Sequence, residues 1–151
     1  MSYAVDFVIE VEPVGVDTAA LAALAERVLA GEKVAPGVTL TILTTDDETL
    51  QELNGRFLGI DAPTDVLAFP EAAEVPLGEG EDRSLGEIAI STPTAQRQAT
   101  ELAHPLADEL AHLLVHGILH LCGYDHVSDA EAVRMRAREE HYLGDITSHG
   151  R

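Results

Sequence analysis

Short runs of branched apolar residues recur along the first two thirds of the chain and predict β-strands. The first run, YAVDFVIEV, alternates polar and apolar positions, which is typical of a half-buried strand. Segments rich in glycine, proline and acidic residues separate several of these runs. Four strands are therefore predicted, over residues 3–11, 36–45, 65–70 and 85–91.

Longer segments with apolar residues at helical spacing lie between and after these strands. Asp17 is placed to cap the first segment, and Ser128 with Glu131 forms the pattern of a capping box before the last. The predicted helices cover residues 17–31, 46–57, about 93–104, 105–123 and 128–144. Interleaved strands and helices in a chain of this length predict one α+β or mixed α/β sandwich domain over residues 1–151.

Composition supports a globular protein in a reducing compartment. Hydrophobic residues make up 46% of the chain, and no apolar run reaches the length of a membrane span. The N-terminus lacks the basic start and apolar block of a secretory signal. Cys122 has no second cysteine to pair with, which fits a cytoplasmic location.

The formal net charge is −18, from 27 acidic and 9 basic residues. Such a surface repels a polyanion over long range, which counts against a nucleic acid partner. The alternative is that the acidity serves solubility or an adaptation of the host. Charge alone therefore leaves the class of partner open.

The stretch HGILHLCGYDH, residues 116–126, predicts a metal site. His116 and His120 are four residues apart in an apolar helix, so both imidazoles lie on one face. Gly123 ends that helix, and His126 can return to the same ion. Three histidine ligands leave a fourth position open, as in catalytic zinc sites.

The histidine spacing matches the metzincin peptidases, but the residue after the first histidine is Gly117 instead of their glutamate base. A peptidase of that mechanism has lost its proton acceptor. We also expect Gly117 to leave open space beside the ion. Because three neutral ligands leave the ion its full charge, the site favours an anionic group, and a phosphodiester suits it better than a peptide.

Four residues near the motif and at the start of the third strand have alternative roles. Asp125 either orients a ligand imidazole or bonds its own turn. His112, one turn before His116, either meets the substrate or packs in the core. Thr64 and Asp65 either contact substrate at a cleft or cap the beginning of the strand after Pro63.

These stretches resemble one known family. HGILHLCGYDH looks like the H-G-x-L-H-L-x-G-Y-D-H signature of the YbeY family, bacterial rRNA maturation factors described as metal-dependent single-strand endoribonucleases. LNGRFLGIDAPTDVLAFP, residues 53–70, resembles the family segment that ends in P-T-D-V-L-S-F-P. LGEIAIS, residues 85–91, resembles its L-G-D-I-x-I-S strand, and the resemblance covers nearly the whole chain.

The resemblance implies a four-stranded mixed sheet packed with helices and a metal cleft at one side. It places one zinc ion, or another divalent transition metal, on His116, His120 and His126, and assigns the catalytic role to the same three histidines. The implied activity is RNA cleavage in maturation of the 3′ end of 16S rRNA and in ribosome quality control. The expected partner is the small ribosomal subunit or its rRNA, with no DNA or membrane partner.

The chain departs from the family pattern at an arginine. The pattern L-N-x-x-[YF]-R-G puts that arginine at Leu58, and Arg56 lies two residues earlier, where a helix directs it to another side. A cation near the metal could hold a phosphate. Its loss supports an alternative, a non-catalytic ribosome assembly factor with a structural metal. A zinc metallopeptidase is a further alternative, favoured by the spacing and opposed by Gly117.

Overall fold

The computed structural model describes residues 3–70, 83–124 and 128–144. The strands are β1 (Ala4–Ile9), β2 (Val38–Thr45), β3 (Val66–Pro70) and β4 (Arg83–Ser91). The helices are α1 (Thr18–Gly31), α2 (Asp47–Leu58), α3 (Thr92–Leu102), α4 (Leu106–Leu121) and α5 (Asp129–Leu143). All predicted elements are confirmed. β4 begins two residues before the predicted start, because its first residues still pair with β2.

The four strands form one mixed sheet in the order β1-β2-β4-β3, which confirms the predicted fold class. β1, β2 and β4 run parallel, and β3 lies antiparallel to β4 at the edge. Side chains of β3 alternate between the two faces. Val66 and Ala68 pack against the main core with α4, whereas Leu67 and Phe69 join a smaller cluster with Leu50 of α2.

α4 is the central helix of the domain. Its apolar residues are almost completely buried between the sheet, α1, α3 and α5, among them Leu113, Leu114, Ile118 and Leu119. A helix that is apolar on most sides needs such enclosure. This enclosure fixes the rotation of α4 against β4.

No helix in the described ranges combines the length and apolarity needed to cross a bilayer.

Gly117 lies on the face of α4 that packs against β4. A Cβ at this position would lie 3.0–3.3 Å from three side-chain carbons of Ile88. Gly117 itself lines an open cleft together with His116 and His120, so the expected open space lies there, whereas Ile88 fills the space that a side chain would enter. The absence of a side chain thus lets α4 pack closely against Ile88 of β4.

Asp47 joins three elements beside this core. Its carboxylate accepts hydrogen bonds from the Ser91 and Thr94 hydroxyls, and the Arg97 guanidinium donates to it over 2.8 Å. These hydroxyl groups, helped by Arg97, lower the pKa of Asp47 to about 2. The first turn of α2 is thus tied to the end of β4 and the start of α3.

Substitution of Gly117 by alanine should destabilise the protein. Overlap with buried Ile88 costs about 1–3 kcal/mol, which exceeds the roughly 1 kcal/mol that alanine gains over glycine in a helix. Gly55→Ala in α2 is the matched control, because its Cβ would meet only the Ile60 carbonyl at 3.7 Å. Urea unfolding should show Gly117→Ala below wild type and Gly55→Ala at or above it. Equal stability of both variants would contradict this packing.

The Asp47→Asn variant should lose stability in a pH-dependent way. The folded pKa of about 2 lies below the ordinary 3.8, so the stabilisation is complete above the ordinary value and is lost as pH falls towards 2. The side chain is 36% exposed, so we expect only about 1 kcal/mol at pH 7. Urea unfolding at pH 7 and pH 3 measures this difference, with Glu48→Gln as control. A stability difference between wild type and Asp47→Asn that is larger at pH 3 than at pH 7 would contradict this role of Asp47.

Candidate functional site

His116 and His120 bring their imidazole rings together on one side of α4. Their Nε2 atoms lie 3.1 Å apart, and the rings meet edge to face with centroids 4.6 Å apart. The four-residue spacing on a helix produces this proximity, as the sequence predicted. Two ring nitrogens thus point towards one position.

The separation of the two nitrogens fits a shared metal ion. Two ligands at about 2.0–2.1 Å in tetrahedral geometry stand about 3.3 Å apart. His126 and Asp125 lie outside the described residues. Within the described ranges, no group of three His, Cys, Asp or Glu side chains forms a complete ligand set. The pair could hold one ion from two sides, and zinc itself stays a prediction.

Glu139 of α5 holds the other nitrogen of His116, which the sequence analysis missed. Its Oε2 lies 2.6 Å from Nδ1 of His116, and Glu139 is 8% exposed. Burial alone would raise the pKa of Glu139, but the bond to His116 and nearby positive charge lower it below its usual value. A carboxylate accepts a hydrogen bond from the protonated Nδ1, which leaves the lone pair of His116 on Nε2, towards His120.

One signal in the sequence could have pointed to Glu139. The buried residues of α5 are Met135, Glu139, Tyr142 and Leu143, at helical spacing. A carboxylate on the apolar stripe of a helix requires a partner when buried. The pattern shows that Glu139 needs a partner, but it does not show that His116 is this partner.

Two clefts meet at His116. The first, which we call the β3–α4 cleft, has a volume of about 270 Å³ and is lined by Thr64, Asp65 and Ala68 together with His116 and His120. The second, which we call the α3–α5 cleft, has a volume of about 440 Å³. Its lining residues are Gln98, Glu101, Leu102, His112, His116, Arg136 and Glu139. His116 is therefore open to ligands from two directions.

Thr64 and Asp65 lie at the β3–α4 cleft, where the sequence suggested. Gln98 donates to the Asp65 carboxylate over 3.2 Å, and the Asp65 carbonyl accepts from the Ser91 amide over 2.9 Å. Asp65 therefore both begins the strand pairing and faces the cleft. The two roles considered for it are compatible, and contact with substrate stays a prediction.

His112 and Arg56 end in different environments. His112 is 6% exposed, its ring lies parallel to that of His116 at 6.3 Å, and burial lowers its pKa. It therefore packs in the protein, and it also lines the α3–α5 cleft. Arg56 is exposed beside Glu52 at 3.6 Å and lines neither cleft. Leu58, at the family's arginine position, is 58% exposed and lines neither cleft.

A second buried carboxylate fixes the chain just after α4. Glu32, at the end of α1, accepts hydrogen bonds from Tyr124, Arg138 and Tyr142. Tyr124 belongs to the histidine signature and is bound over 2.8 Å. The neighbouring Cys122 is half-buried, and burial raises the pKa of its thiol to about 11, which disfavours the reactive thiolate form at neutral pH. α5 thus contacts the signature on two sides, through Glu139 and through this Glu32 cluster.

The chain is similar to one family of known proteins over most of its length. The family model described as "Endoribonuclease YbeY" matches residues 8–147. Proteins named "Endoribonuclease YbeY" from Roseiflexus sp. and Moorella thermoacetica are 48% and 44% identical, over 85% and 78% of this chain and 82% and 78% of their own lengths. The relative of that name from Chloroflexus aggregans is 42% identical over 93% of this chain and 94% of its own.

The solution structure of TM1509 from Thermotoga maritima has a similar fold. Its TM-score is 0.62 at 26% identity, and the alignment covers 97% of this chain and 90% of that one. The family model and the sequence relatives together show the family of this chain. The chain belongs to the YbeY endoribonuclease family.

Proposed function

We propose that this protein is a metal-dependent endoribonuclease that cleaves single-stranded RNA. Its role would be maturation of the 16S rRNA 3′ end and ribosome quality control, with the small ribosomal subunit as partner. The observation that carries the proposal is the His116–His120 pair, whose Nε2 atoms converge to 3.1 Å at the edge of an open cleft. Membership of the YbeY family and the names of its relatives support the RNA substrate.

The proposed ligands of the ion are His116, His120 and His126. A bound zinc ion would supply positive charge for a phosphate and lower the pKa of water. The Glu139 carboxylate keeps the His116 proton on Nδ1, so that Nε2 stays available as a donor to the ion. Asp65 and Thr64 provide hydrogen-bonding groups at the same cleft for a substrate or a water molecule.

Two observations disfavour the metallopeptidase alternative. A side chain at position 117 would face Ile88, so the residue that serves as base in metzincins has no counterpart in this geometry. Glu139, which contacts His116 directly, is already bound to its Nδ1. RNA cleavage is therefore the better match to these residues.

The assembly-factor alternative depends on Leu58. An exposed leucine replaces a cation that could hold a phosphate, which would weaken turnover but not metal binding. If the metal were only structural, its removal would unfold the protein, and the folded protein would not cleave RNA. Activity and folding measured on the same samples distinguish the two functions.

The His116→Ala and His120→Ala variants should lose RNA cleavage by about 100-fold or more, because each removes a donor to the ion. The assay uses zinc-loaded protein and single-stranded precursor 16S rRNA. His141→Ala, an exposed histidine on α5, is the matched control and should retain full activity. Equal cleavage by wild type and the site variants would indicate a contaminating nuclease. A folded wild type without cleavage would favour the assembly factor.

The Glu139→Gln variant should bind zinc about 10- to 100-fold more weakly. The glutamine amide is neutral, so it holds the His116 ring in place less strongly than the charged carboxylate does. Glu140→Gln is the matched control, because Glu140 is exposed on the next position of the same helix. Competition with a chromophoric chelator measures the affinity without any need for RNA cleavage. Equal affinity of the two variants would contradict the orienting role of Glu139.

A further inference from the structure

The α3–α5 cleft adjoins the proposed reaction site but has no role in it so far. It shares His116 with the β3–α4 cleft, and α3, α4 and α5 form its walls. An RNA strand whose reacting phosphate lies at His116 and His120 therefore has a neighbouring nucleotide within reach of this second cleft. The side chains that line it decide whether that nucleotide is held.

Arg136 is an exposed cation of α5 whose positive charge helps to lower the pKa of Glu139. Arg27 donates to the Tyr142 carbonyl, Arg97 is bound to Asp47, Arg138 to Glu32, and Arg56 is paired with Glu52. Among the described residues, Arg136 makes no ion pair or hydrogen bond. Its guanidinium is exposed at the wall of the α3–α5 cleft. It is therefore free to contact an anion.

His112 is a second polar side chain at this cleft. It is 6% exposed, and its Nδ1 has no hydrogen-bond partner in the part of the chain that the structure describes. A buried polar nitrogen without a partner costs about 1–3 kcal/mol. His112 also lines the α3–α5 cleft. This nitrogen has less than 1 Å² of accessible surface, so a ligand in the cleft would contact another part of the His112 ring.

The combination fits a nucleotide better than a simple anion. Arg136 supplies one positive charge at the rim, whereas Glu101 and Glu139 on the same cleft oppose a second negative group. The His112 imidazole is buried deeper and suits a hydroxyl or a base edge. We propose that the α3–α5 cleft binds the nucleotide next to the cleaved bond, with Arg136 on its phosphate and His112 on its sugar or base. This inference rests on the proposed RNA substrate.

The chain offers a matched control for Arg136. Arg134 lies two positions away on α5, is also exposed, and lines a different cleft beside Cys122 and Tyr124. Arg136→Gln and Arg134→Gln change the net charge of the protein equally. Any difference between them therefore reports the location of the charge, and their thermal unfolding confirms that both fold.

Binding is measured first, in a His120→Ala background that does not cleave. Fluorescence anisotropy with a short labelled single-stranded RNA gives the Kd at several salt concentrations. Arg136→Gln should raise the Kd about 3- to 10-fold and reduce the slope of log affinity against log salt by about 0.7, as for one lost phosphate contact. Arg134→Gln should leave both unchanged. Equal Kd values for the two variants would overturn the proposal.

Kinetics on the zinc-loaded protein then separate this inference from the proposed function. Arg136→Gln should raise KM with little change in kcat, since Arg136 holds a neighbouring nucleotide and does not touch the reacting group. Cleavage with identical KM in both arginine variants would overturn the inference and leave the nuclease intact. RNA binding that depends on Arg136, without cleavage by wild type, would support the cleft and overturn the nuclease.

Discussion

Burial of α4 between the sheet and the other helices determines the geometry of the whole site. The helix is apolar on most of its surface, so only one rotation places Ile118 and Leu119 in the core and Gly117 against Ile88. That rotation leaves His116 and His120 on the side that faces the clefts. The site is therefore formed by the same hydrophobic packing that stabilises the domain.

α5 holds two residues of the histidine signature in place. Glu139 orients His116 through Nδ1, and Arg138 contributes to the Glu32 cluster that fixes Tyr124. Both carboxylates are buried, and each has partners that satisfy it. Because an unpaired buried charge is costly, these contacts also define how α5 docks on α1 and α4. The same contacts therefore set both the orientation of the His116 imidazole and the position of α5.

The acidity of the chain and its RNA-cleaving family are compatible. A net charge of −18 repels a polyanion at long range, but that repulsion is screened beyond about 8 Å at physiological salt. Within the clefts, the nearby charged and polar side chains determine whether RNA is attracted or repelled. Burial lowers the pKa of His112 and so disfavours its charged form, and Arg136 is exposed and forms no ion pair among the described residues. RNA association should therefore depend on a few local contacts instead of a basic surface.

The sequence by itself determined the features that depend on local spacing. Alternation and helical periodicity located the strands and helices, caps such as Ser128 located a helix start, and a four-residue spacing placed His116 beside His120. The tertiary structure alone decided which faces meet. Glu139 lies 23 residues from His116, and Ile88 occupies the space at Gly117. No local pattern encodes such pairs, because they depend on the packing of elements that are distant in the chain.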